Sequence, residues 1–113
     1  MGMMIFYTNR FIPTNAAACA RGPFIFIRPE YKDDLGLLAH EKRHVKQWLY
    51  TIGLHSFLYL LIPKYRLWSE VEAYKVQAKY YDIDKLPLFA EYISKKYSIN
   101  ITQSGALKLL TEE

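Results

Sequence analysis

Apolar residues fall in short β-prone runs near the N-terminus and in helix-spaced stripes beyond residue 30. Met3 to Thr8 is one such run. Residues 9–22 hold Asn, Pro, Thr and Gly and read as a loop. Pro23-Phe24-Ile25-Phe26-Ile27-Arg28-Pro29 is the best strand, and its flanking prolines suit a strand start or a sheet edge. Asp33 or Asp34 can then cap a helix that runs to about Tyr50. The stretch from Trp48 to Pro63 is the most apolar, interrupted by Gly53, His55 and Ser56 and broken by Pro63. It is too short for a membrane span and predicts a buried helix or loop under the core. The alternative is a membrane-surface segment, since Phe57, Tyr59 and Lys64 to Arg66 suit an interface. Helices are expected over 66–82, from Leu86 to about Tyr97 and over 104–110, with 98–102 extended. The pattern is α+β and mostly helical, with a small N-terminal sheet, in a single domain over residues 1–113.

Composition narrows the classes. With 51% apolar and 16% aromatic residues, the chain can form a core and is not intrinsically disordered. One cysteine, Cys19, rules out an internal disulfide, a cysteine-only zinc site and an iron–sulfur cluster. Cys19 suits a reducing compartment and an inert packing role. The net charge of +4 is spread along the chain without a block of like charges, so no nucleic-acid partner is expected. The N-terminus lacks the features of a signal peptide or a myristoylation site, and a cytoplasmic location is expected.

One motif speaks of chemistry. His40-Glu41-Lys42-Arg43-His44 lies within the first long helix. Histidines at i and i+4 share a face one turn apart, near enough to bind one metal ion. A glutamate beside the first can reach a water on that ion. In a chain with 3 histidines the pattern arises by chance about once in two hundred such sequences. At about 100° per residue, Glu41 falls mid-stripe among Leu37, Val45, Trp48 and Ile52, with His40 and His44 at its edge. A carboxylate aimed at the core is costly unless it is paired or has chemistry to perform. The alternative is two structural histidines and a glutamate paired to a buried Arg or Lys.

A catalytic zinc needs a third protein ligand. His55 is one candidate, but the Gly53 spacing fails the three-histidine pattern. The second helix offers Glu70 and Glu72. Glu70 falls at the edge of the face formed by Leu67, Val71, Tyr74, Ala78 and Tyr81, while Glu72 falls about 200° away and reads as a surface residue. Glu70 is therefore favoured and Glu72 is the alternative.

A strand, a His-Glu-x-x-His helix and a second helix with Glu70-Val71-Glu72-Ala73-Tyr74 resemble the gluzincin zinc metallopeptidases, especially their minimal phage-type and bacterial forms. The resemblance covers roughly residues 23–82. Tyr74 stands where membrane-linked members usually have an aspartate. The resemblance implies a zincin-like fold with the sheet packed on the His-Glu-x-x-His helix. It implies Zn2+ on His40, His44 and Glu70, and peptide-bond hydrolysis of a peptide or protein substrate. Glu41 is then the general base and Tyr74 a candidate donor to the oxyanion. The strand Phe24 to Ile27 resembles the edge strand that aligns an extended substrate.

Two other readings use the same residues. One is a zinc-stabilised binding module or pseudo-peptidase without turnover. The other is a metal-free interaction or membrane-surface protein that uses residues 48–63.

Overall fold

The computed structural model describes residues 3–112. Among these it forms an α+β fold of three strands and five α-helices. The strands are β1 (Met4–Tyr7), β2 (Ala18–Arg21) and β3 (Phe24–Ile27), in the order β1-β3-β2. β1 pairs with β3 in parallel, and β2 pairs with β3 antiparallel. Arg21 faces Phe24 across the hairpin, so Gly22 and Pro23 alone make the turn. Gly22 has φ of +60°, which a glycine adopts without strain.

Two expectations change here. Residues 9–22 are not all loop, because their last part is β2. Phe24–Ile27 is not an edge strand but the central one. Its prolines lie just outside the paired positions and cost the ladder nothing. Ile25 and Ile27 point inward onto Val45, Leu37 and Leu38 of the first helix. Phe24 and Phe26 point outward, where Phe6 and Phe11 pack against Phe26.

Helix α1 (Leu35–Tyr50) starts at Asp34, whose carboxylate accepts from Leu37 N at 3.0 Å. The same carboxylate oxygen accepts from the Tyr81 hydroxyl at 2.6 Å, beyond the end of α3 (Pro63–Ala78). That bond ties the start of α1 to the end of α3. Further along, Arg43 reaches Glu72 and Gln47 reaches Ser69, so the two helices run antiparallel. Their facing stripes bury His40, Glu41, His44 and Gln47 against Ser69, Glu70, Ala73 and Tyr74. α4 (Leu86–Lys96) and α5 (Gln103–Thr111) close the second core around Phe89, Ala90, Ile93, Ala106 and Leu110.

Pro63 opens α3 rather than merely ending the apolar stretch before it. Its fixed φ and missing N–H suit the first helical turn, so the helix begins before residue 66. It also ends at Ala78, short of residue 82. Between α1 and α3 lies α2 (His55–Leu61), with no buried residue. The expectation of a segment buried under the core is therefore wrong. Its polar His55 and Tyr59 turn inward, and its apolar residues turn out.

Candidate metal centre

Three side chains from two helices converge. His40 Nε2 and His44 Nε2 lie 3.2 Å apart, and Glu70 Oε1 lies 3.2 and 3.3 Å from them. All three residues are buried. Glu70 Oε1 makes no properly angled hydrogen bond, although both imidazole nitrogens are within reach. The three atoms lie within contact distance of one another, close enough for one metal ion to be held among them. Geometry thus selects Glu70 over Glu72, and these three residues form a group able to hold a metal ion. His55 stays outside it, with Nδ1 on the Tyr65 hydroxyl at 2.7 Å.

A ring of polar contacts fixes these side chains. Gln47 Oε1 lies 2.9 Å from His44 Nδ1 and accepts from Ser69 Oγ at 2.6 Å. Gln47 Nε2 donates to the Ser69 carbonyl and to Glu72. Glu72 is half-buried and also accepts from Arg43 at 2.9 Å, so it is not the surface residue its wheel position suggests. It is an anchor for the shell around His44. The Tyr59 hydroxyl donates to Glu70 Oε2 at 2.5 Å, which leaves Oε1 facing the imidazoles. Tyr59 is therefore not an interface residue. Arg66 is likewise occupied, donating to the carbonyls of Tyr59 and Leu60 at the end of α2 and to Ser98. Tyr74 packs its ring edge-on to His40 at 4.4 Å, and its hydroxyl lies 2.5 Å from that of Tyr97.

Electrostatics follow from burial beside a carboxylate. Burial opposes the charged form of His44, but the negative charge of Glu70 beside it outweighs burial and raises His44 to about 9. Burial would raise Glu70, yet His44 and His40 hold it well below the usual carboxylate range. Burial, with the His44 charge, lowers His55 to about 4, so it stays neutral at physiological pH. Glu41 is raised by burial, against the pull of His40 and His44 and with the push of Glu70. It is 5% exposed and has no hydrogen bond or ion pair among the described residues. The alternative of a glutamate paired to a buried Arg or Lys is not what the fold contains.

Glu41, the three ligands, His55, Tyr59 and Tyr74 all border one open cleft of about 1300 Å³. One wall is β2, which pairs only with β3 and leaves its other edge to the cleft. The opposite wall comes from α4, with Phe89 and Tyr92. Cys19 borders the cleft from β2, but its thiol is pushed up by burial and donates to the Phe11 carbonyl. Tyr59 and Gln47 were the members of the site that sequence reasoning missed. The only sequence signal for Tyr59 is the i, i+4 spacing with His55 that puts both on one face of α2.

No protein-family model matches the chain, and neither a curated protein nor a solved structure is significantly similar to it.

The Gln47 contacts make a measurable claim. Gln47→Leu leaves His44 Nδ1 and Ser69 Oγ without their partner. If the group holds zinc, its affinity, measured by competition with a chromogenic chelator, is expected to fall about 10- to 100-fold while binding itself survives.

Proposed function

We propose that the protein is a zinc-dependent peptide hydrolase of the gluzincin type, with a zincin-like fold. The observation that carries the reading is Glu41, a buried carboxylate without a partner that borders the cleft beside a three-donor triangle. The donor set of two imidazoles and one carboxylate is that of catalytic zinc sites. Donor atoms about 2.0–2.1 Å from a tetrahedral zinc lie about 3.3 Å apart. The three separations here, 3.2, 3.2 and 3.3 Å, fit that requirement. His40, His44 and Glu70 would hold the ion, and zinc there supplies a Lewis acid for a carbonyl oxygen and brings a water's pKa toward neutrality.

The chain's own groups supply the rest. Glu41 takes a proton from the attacking water and returns it to the leaving amine. Its raised pKa brings it closer to working pH, which suits both halves of that transfer. Neutral His55 and Tyr74 border the cleft as candidate donors to the oxyanion. An extended substrate would add to the free edge of β2, which takes over the alignment role first expected of Phe24 to Ile27.

The experiment is cleavage of a mixture of unstructured peptides by protein supplied with zinc, followed by mass spectrometry. Cleavage that stops on adding a zinc chelator and returns with zinc supports the reading. Tight zinc binding without cleavage of any peptide leaves a zinc-stabilised module instead.

Proton competition gives a second readout. His44 keeps its proton up to about 9, so a metal must displace it. Zinc affinity therefore rises about tenfold per unit between about pH 6 and 8, measurable by calorimetry in buffers of different ionisation enthalpy.

A further inference from the structure

We propose that α2 and the loop before it form a docking surface for an anionic lipid bilayer. α2 is turned inside out relative to an ordinary surface helix. Its polar residues His55 and Tyr59 face the metal centre, and its apolar residues face outward. Phe57, Leu60 and Leu61 are 65, 73 and 70% exposed, and Leu54 continues their stripe one turn earlier. In the preceding loop Ile52 is 91% exposed, with Leu49 and Tyr50 exposed at the end of α1. Ile62 extends the surface on the far side of α2. Isolated exposed apolar residues need no explanation, but eight within one 14-residue segment do.

Charge selects the occupant. From Lys42 to Ser69 the chain has five basic residues and no acidic one, while the whole chain has a net charge of only +4. Arg43 is paired with Glu72, and Arg66 is spent on backbone carbonyls. Lys42, Lys46 and Lys64 are exposed and have no ion-pair partner among the described residues. Lys42, Lys46, Leu49 and Tyr50 follow one stripe along α1, and Lys64 follows Ile62 by two residues. An apolar surface with lysines at both ends matches the boundary between acyl chains and anionic headgroups. No helix among the described residues is long and apolar enough to cross a membrane, so the contact is peripheral.

Ser56 and Leu60 of α2 also border the cleft, so the docked face adjoins its mouth. The docking surface does not depend on the hydrolase reading.

The test is flotation of the protein with phosphatidylcholine vesicles, with and without phosphatidylglycerol. Binding to the anionic vesicles that weakens severalfold on adding salt is expected. Phe57→Ser with Leu61→Ser weakens it at least about tenfold. Lys46→Gln and Lys64→Gln each weaken it about fivefold. Unchanged zinc content in these variants separates loss of docking from loss of the metal centre. No flotation, or flotation that the Phe57 and Leu61 substitutions leave unchanged, overturns the proposal. So does a concentration-dependent dimer, broken by the same substitutions and without vesicle binding, which assigns the surface to a second copy of the chain.

Discussion

Glu41→Gln is expected to abolish most of the proposed peptide cleavage and to leave zinc binding intact. The expected loss in kcat is about 10²- to 10⁴-fold, the contribution of a positioned general base. Glutamine keeps the shape of the side chain but cannot take the proton. Glu41 is not part of the three-donor group, so zinc content stays at the wild-type level. A stability measurement adds a readout that a purely structural role would not give. Glu41 is buried and makes no hydrogen bond or ion pair among the described residues, and burial raises its pKa against the pull of His40 and His44. A carboxylate so placed costs stability, and a neutral amide relieves the cost. In the presence of chelator, Glu41→Gln is therefore as stable as wild type or more so by chemical denaturation. A fall in stability would mean that the carboxylate holds the fold together, as a structural ion pair does.

Glu70→Ala removes one of the three donors of the proposed metal centre. Zinc affinity falls by more than about 100-fold, since even the loss of a partner to a ligand costs 10- to 100-fold. Two further consequences follow from the contacts of Glu70. The Tyr59 hydroxyl loses its acceptor, and His44 loses the charge that keeps it protonated. With chelator present, the variant is less stable by about 1–3 kcal/mol, the cost of a buried polar group left unmatched. Excess zinc stabilises wild type by about 4 kcal/mol at a thousand times its dissociation constant, and Glu70→Ala at the same concentration by less than about 1.4 kcal/mol. Thermal unfolding with and without zinc separates the two effects. Glu72→Ala is the contrast. It loosens Gln47 and Arg43 but removes no donor of the group, so zinc stays bound with reduced affinity.

Much of this arrangement was legible along the chain because local signals carried it. The Asp34 cap and the apolar spacing fix both ends of α1, and they place His40, Glu41 and His44 on its buried stripe. The same argument brings Glu70 to the face of α3 that meets them. Signals that depend on distant partners were not legible. Ala18-Cys19-Ala20-Arg21 has little β propensity and becomes a strand because the Gly22 turn folds it back on Phe24–Ile27. The prolines around that central strand mimic an edge because they fall just beyond the ladder.

Glu72 shows the limit of a helical wheel. The wheel gives a direction from one helix axis, whereas Arg43 and Gln47 reach across from another helix to meet it. In α2 the apolar pattern predicts a buried helix or loop, but the segment is a helix with no buried residue, because its polar side turns inward against the usual rule of apolar inside, polar outside. The Tyr59 hydroxyl donates to the buried Glu70 carboxylate, and the helix turns its polar side inward to make that bond.

The most direct test of the central claim is the metal content of protein purified without chelator and dialysed extensively. About one zinc per chain is predicted, falling to background in both His44→Ala and Glu70→Ala. Absence of zinc from wild type, together with unchanged thermal stability when zinc is added, would contradict the metal centre and the hydrolase built on it.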